Sequence, residues 1–241
     1  ATPGEWQSAT DRTPFHTDYI NKHMSRNMRD EVRLLKKFMK GIGVYGAEIR
    51  VGGFSGYLCE LLILHYGSFT LVLEAFAHHM PKRTIDIEGY YKDRPREAEL
   101  LFPEPLVIVD PVDKGRNVAS AVQPQKLQVF AAASQAFLKA PRREFFYPPI
   151  TSPMAPDVLK QKLESYGSDI IFLAFNGVQA VPDILWGQLY KTKRSLHKLL
   201  ELSDFNVLRD SIWHEEGQEC TVMVFELEQH ILPIAKKHLG P

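Results

Sequence analysis

The sequence has little of what marks a secreted, membrane-spanning or metal-stapled protein. It holds two cysteines in 241 residues. Cys59 lies in an apolar helical stretch and Cys220 in an apolar strand-like one, with no CxxC pair and no Cys/His cluster at zinc-ligand spacing. Two buried, reduced thiols in a cytoplasmic protein are expected. Long apolar runs are missing: Leu61-Leu62-Ile63-Leu64 stops far short of the roughly 18 residues a membrane span needs, and no charged-then-apolar leader is visible. Net charge is missing too, with 29 Lys and Arg against 29 Asp and Glu, which excludes a grossly cationic nucleic-acid binder but leaves the distribution of charge open. Internal repeats and low-complexity tracts are absent. What remains is ordinary globular composition, 44% apolar and 11% aromatic, in a length that suits two small domains. The opening Ala1-Thr2-Pro3-Gly4, without an initiator methionine, reads as part of something longer.

The charge is unevenly placed. Between Lys22 and Arg50 stand eight basic residues and three acidic ones. Met28, Val32, Leu35 and Met39 recur at helical spacing, and Arg29, Arg33, Lys36 and Lys40 repeat that spacing one residue on. The pattern predicts an amphipathic helix with a cationic stripe beside its core-facing stripe, stopped by Gly41 and Gly43. Phe54 to Tyr66 is apolar on nearly every face and reads as an interior helix in which Glu60 needs a partner. Residues 81–105 are charged, contain proline and lack a period. They are read as a surface loop region with one weak strand at Thr84 to Ile87. Leu106 to Val109 follows as a short strand, then a buried helix carries Leu127, Phe130, Ala131, Ser134, Phe137 and Leu138.

Pro141, Pro148, Pro149, Pro153 and Pro156 crowd a segment that suits neither helix nor central strand, and the domain boundary is placed there, with domains at 1–147 and 148–241. Beyond it the expected order is a helix from Pro156 to Tyr166, a strand from Asp169 to Phe175, a helix from Asp183 to Leu202 and a strand from Phe205 to His214. A Glu215-Glu216-Gly217 turn, a strand from Cys220 to Leu227 and a helix from His230 to Leu239 complete it. This β-α-β-β-α order suggests a ferredoxin-like or RRM-like sandwich that stops before a fourth strand. The fold class is therefore α+β, a mainly helical domain followed by a small sheet domain. On the long helix, Lys191, Arg194 and Lys198 recur at i, i+3, i+7, close to Lys193 and His197. Such a face can contact RNA phosphates or simply be the solvated side of the helix. Arg142 and Arg143 are similar candidates.

Five ordered motifs carry a resemblance: Ser8-Ala9-Thr10-Asp11-Arg12-Thr13-Pro14-Phe15-His16; Glu31-Val32-Arg33-Leu34-Leu35-Lys36; Gly43-Val44-Tyr45-Gly46-Ala47-Glu48; Gly53-Phe54-Ser55-Gly56-Tyr57-Leu58-Cys59-Glu60-Leu61-Leu62; and Asp110-Pro111-Val112-Asp113 with Arg116-Asn117-Val118-Ala119. Together they resemble the archaeal-type (class I) CCA-adding enzymes, densely over residues 8–146 and more loosely beyond. The looser parts resemble the wider poly(A)-polymerase and oligoadenylate-synthetase superfamily. The resemblance implies addition of C, C and A to the tRNA 3′ end from CTP and ATP without a nucleic-acid template. Two Mg²⁺ ions would bind the attacking and leaving oxygens. It places the metal-binding Gly-Ser…Asp-x-Asp palm in a head that these residues do not contain, so no catalytic residue and no metal ligand is expected here. Gly67-Ser68 followed by Asp86-Ile87-Glu88 only mimics such a palm, because a helix from about Phe69 to His78 fills the interval.

The same resemblance assigns His16, Lys36 and Tyr45 to the nucleotide triphosphate, where an imidazole, an ammonium and a phenol can donate to phosphate oxygens. By themselves, Lys36 reads equally as a solvated cation, Tyr45 as a core residue and His16 as a turn residue in a loop after Pro14. Arg116 matches the base-selecting arginine. Cytosine and adenine present a ring-nitrogen acceptor beside an exocyclic amine, whereas uracil and guanine present a ring N–H there. A guanidinium, which only donates, therefore favours C and A. Arg116 can also pair with Asp110 or Asp113 across a turn, and both roles can coexist. The implied partners are tRNA, through its acceptor stem and 3′ end, and CTP or ATP. No membrane partner is expected and a homodimer is left open. The other reading is a stand-alone RNA- or nucleotide-binding scaffold without catalysis.

Overall fold

The computed structural model describes residues 9–78, 82–150, 152, 154–177, 180–215 and 220–232. Ser8, Pro153, the centre of the expected Glu215-Glu216-Gly217 turn and most of the helix expected over His230 to Leu239 lie outside the described residues. The chain divides into two compact units, Ala1–Ile150 and Thr151–Pro241.

The first unit is mainly helical. Helix α1 (Ala9–His23) includes Pro14, so His16 stands on a helix and not in the loop expected from the proline. Helix α2 (Arg26–Gly41) starts where the Ser25 hydroxyl accepts from the Met28 amide. It buries Val32, Leu35, Phe38 and Met39, as the period requires. Helix α3 (Gly56–Tyr66) starts two residues later than Phe54, because Ser55 caps it through the Leu58 amide. It buries Leu58, Cys59, Leu61, Leu62 and Ile63 and ends at Gly67. Helices α4 (Phe69–Ala77) and, further on, α6 (Pro124–Lys139) pack together, and Phe38 lies at the centre with the rings of Phe69, Phe130, Phe137, Phe145 and Phe146 around it. Centroid separations of 5.4–6.4 Å in mostly edge-on geometry are those aromatic quadrupoles prefer.

Residues 81–105 correct the loop expectation. They contain β1 (Arg83–Ile85), one residue earlier than the weak strand foreseen, and helix α5 (Pro95–Leu101). They also close a small core of their own, Tyr91, Ala98 and Phe102 against Val107 and Val109. This order comes from distant partners. β1 pairs in parallel with β2 (Leu106–Asp110), and β2 pairs antiparallel with β3 (Asp113–Asn117), a strand the apolar pattern did not signal. Asn117, 5% exposed, bonds the Ile108 and Ala119 amides and the Leu106 carbonyl, which fixes the hairpin from inside.

In the second unit, α7 (Pro156–Tyr166) precedes β4 (Asp169–Asn176), α8 (Pro182–Leu202), β5 (Val207–His214) and β6 (Cys220–Leu227). The sheet order is β4-β6-β5 with antiparallel neighbours, so β4 and β5 run parallel with β6 between them, a split βαβ unit. Leu185, Trp186 and Leu189 of α8 cover one sheet face through Met223, Phe225 and Leu227. The molecule is α+β, a helical domain followed by a small β domain. Cys59 is buried as expected, but Cys220, the first residue of β6, is only half-buried. Among the described residues no single helix is long and apolar enough to cross a membrane.

Candidate functional site

The site is built where chain segments far apart in sequence meet at the first turn of α3. The segment after α2 returns beside the segment before α3. The Phe54 amide donates to the Val44 carbonyl at 2.8 Å, the Gly46 amide to the Phe54 carbonyl at 2.9 Å, and the Gly53 amide to the Gly46 carbonyl at 2.7 Å. Gly53 permits this approach, because a Cβ there would lie 2.0 Å from the Val44 carbonyl oxygen. The pairing sets Tyr45 opposite Phe54 and carries its hydroxyl to the helix start. A Cβ on Gly56 would meet Tyr45 Oη at 3.2 Å and Lys36 Nζ at 3.4 Å, so both tips converge on a helix start that carries no side chain. Lys36 Nζ also donates to Glu60 Oε1 at 2.7 Å, which supplies the partner expected for Glu60. An ammonium, a phenol and the positive end of an 11-residue helix, whose Ser55 cap takes only the Leu58 amide, together favour an anion.

The next residue, Tyr57, belongs to a second cluster centred on Asp110 at the end of β2. Asp110 has no exposed side-chain surface. Its Oδ2 accepts from Arg116 Nη1 at 2.7 Å and from His16 Nε2 at 2.9 Å. Its Oδ1 accepts from Tyr57 Oη at 3.2 Å and from the Val112 amide at 3.1 Å. Burial alone pushes this carboxyl up, but the bonds from His16, Arg116 and the Val112 amide outweigh it and hold the group below its ordinary value. The Tyr57 hydroxyl is driven well above its ordinary value by burial and by the Asp110 charge, so it stays a donor. The His16 and Tyr57 rings stack with centroids 4.0 Å apart. One turn before His16, Arg12 Nε reaches Asp113 Oδ2 at 3.1 Å. The first motif thus docks onto the β2–β3 hairpin with one helix face.

Two residues from the region read as a loop support that hairpin. Tyr90 Oη donates to the Pro111 carbonyl at 2.5 Å and Tyr91 Oη to the Lys114 carbonyl at 2.7 Å. Asp86 accepts from the Tyr91 amide at 2.7 Å and Glu88 from Tyr19 Oη of α1 at 2.5 Å, so each carboxylate of the false palm has a structural partner, the first local and the second distant in sequence.

The residues singled out from sequence therefore form two adjoining groups. Lys36 and Tyr45 share the first turn of α3. His16 and Arg116 share Asp110, so the turn-spanning pair foreseen for Arg116 exists, and its side chain still keeps 34% exposure. Sequence reasoning misses Tyr57, Tyr90 and Tyr91. Only the place of Tyr57 beside Gly56 hints at a role, and nothing local signals the other two. In the second unit Lys191, Arg194 and Lys198 are exposed, while Lys193 and His197 turn inward to Asp210 of β5. Arg142 and Arg143 are exposed beside the Phe145 and Tyr147 rings, and Lys37 Nζ lies 4.0 Å from the Tyr147 centroid. Among the described residues no group of three or more His, Cys, Asp and Glu side chains could hold a metal ion.

Comparison with known families adds the following. Residues 30–147 match the model of the tRNA nucleotidyltransferase second domain, and residues 166–241 match that of the CCA-adding enzyme C-terminal domain. A CCA-adding enzyme of Methanothermobacter thermautotrophicus is 44% identical over 98% of the chain and 50% of its own length. Those of Methanosarcina acetivorans and Saccharolobus shibatae are 41% and 40% identical, over 98% and 97% of the chain and 50% and 52% of their own lengths. The chain spans about half the length of these curated relatives.

Proposed function

The chain belongs to the archaeal CCA-adding enzyme family, matching its second and C-terminal domains, and on that premise we propose that it supplies nucleotide selection and tRNA docking to a tRNA nucleotidyltransferase. The substrates of this reading are CTP, ATP and the tRNA 3′ end. Lys36 and Tyr45 bind the triphosphate at the start of α3. His16, its Nε2 committed to Asp110, assists at the triphosphate through its Nδ1 edge. Arg116 uses its remaining N–H groups on the base edge, accepting C and A and opposing the ring N–H of U and G. Lys191, Arg194 and Lys198 bind phosphates of an A-form acceptor stem, where recognition runs through backbone and 2′-hydroxyl groups.

Magnesium ions would supply stabilisation of the attacking and leaving oxygens in nucleotidyl transfer. Among the described residues no group of His, Cys, Asp and Glu would hold such ions, and the roles proposed for this chain's own residues are to bind, orient and discriminate. The observation that carries the reading is the convergence of Lys36 Nζ and Tyr45 Oη on Gly56. The test is nucleotide binding by the purified chain. Lys36→Ala is expected to weaken CTP, ATP, UTP and GTP alike, by about 10- to 100-fold for one missing charge-assisted bond. An effect confined to one base would remove Lys36 from the triphosphate.

A further inference from the structure

Asp110 carries no reactive surface of its own, yet it ties the site together. A carboxylate offers about four lone-pair positions. All four are taken, by donors from α1, α3, β3 and the turn between the two strands of the hairpin. None is left for a nucleotide, so whatever Asp110 does, it does through the groups that bond it. The most consequential of these is Arg116. An arginine on a flexible stem can swing to the carbonyl oxygens of uracil or guanine as readily as to the ring nitrogen of cytosine or adenine. Donor-against-donor rejection works only if the guanidinium is held at one angle.

We infer that Asp110 is a positioning residue for base selection, fixing the Arg116 fork so that its free N–H groups face the base edge in one orientation. This rests on the reading of Arg116 as the base-selecting group. Oδ2 sits between His16 and Arg116, and Oδ1 is held from behind by Tyr57 and the Val112 amide, so the carboxylate plane is pinned from both sides. Tyr90 and Tyr91 hold the 111–114 turn from outside, which limits movement of the strand that bears Arg116.

Asp110→Asn separates the possibilities. An amide has one acceptor oxygen and one donor NH₂, so in either orientation two of the four neighbours meet a donor instead of an acceptor. Binding of CTP, ATP, UTP and GTP is measured by equilibrium dialysis on wild type, Arg116→Ala, Asp110→Asn and Asp110→Glu. Wild type is expected to prefer C and A. Asp110→Asn is expected to cut that preference about tenfold, through gained affinity for UTP and GTP relative to CTP. Asp110→Glu, which keeps the charge but shifts it by one methylene, is expected to cut it as well and serves if circular dichroism shows Asp110→Asn unfolded. If either folded variant binds all four nucleotides more weakly in the same proportion, Asp110 is merely structural and the inference is overturned. If Arg116→Ala abolishes the preference while both Asp110 variants keep it, the Arg116 reading survives and this one fails. A wild type without preference, or without binding, overturns both.

Discussion

Asp110 is a buried carboxylate that stays ionised, and that has a consequence for stability. Its folded-state pKa lies below the ordinary value despite burial, so the unfolded chain binds the proton more readily. The stabilisation it brings is complete above the ordinary aspartate range and is lost as pH falls through the folded-state value. Urea midpoints of wild type and Asp110→Asn, taken between about pH 7 and pH 3, check this. The wild-type advantage is expected to be largest at neutral pH and to shrink in acid. A gap that stays constant with pH would mean that the proton is not the cause. At the same scale, Arg116 and Lys36 show what sequence can and cannot say. Their charge and donor chemistry are intrinsic to the residue type, and the Asp110 partner of Arg116 is foreseen across a turn, whereas the Glu60 partner of Lys36 lies at a separation that only the fold sets.

Elements are readable in proportion to how far local physics decides them. α2 follows from a regular apolar period and two glycines, and α3 from a run too apolar for any place but the interior, whereas α6, read as buried, buries only Phe130 and Ser134 and leaves much of its surface to solvent. The ends are less readable, because Ser55, not Phe54, decides where α3 begins. The 81–105 region is not readable. β1 has three residues and exists because β2 stands beside it, and Tyr90 and Tyr91 act on carbonyls more than 20 residues away. Hydroxyl-to-carbonyl bonds of that range leave no periodicity to detect. The approach of the 43–46 and 53–56 segments is the element-scale feature most open to test. Gly53→Ala drives a Cβ against the Val44 carbonyl oxygen, a backbone atom that cannot swing aside. A loss of about 1–3 kcal/mol is expected in denaturant unfolding, together with weaker triphosphate binding as Tyr45 moves off Gly56. Unchanged stability would show that the two segments can separate at no cost.

At the scale of the whole molecule, zero net charge coexists with local cationic surfaces. On α8, Lys193 and His197 bond Asp210, whereas Lys191, Arg194 and Lys198 point outward, where the proposed function sets them against a polyanion. Replacing these three by alanine is expected to weaken tRNA binding and to flatten the dependence of log K on log salt by about 2–3, since each phosphate no longer neutralised lowers the slope by a little under one. Filter binding across a salt series measures it, and an unchanged slope would assign the helix face to solvent alone.

The Asp110 cluster also bears on how the first unit comes together. Its His16 and Tyr57 bonds close loops of 94 and 53 residues. Such closures carry the highest entropic toll and are rewarded only after neighbouring helices have docked. Under the proposed function, competence to discriminate bases then emerges late in folding, and nucleotide binding is expected to act chiefly by slowing unfolding.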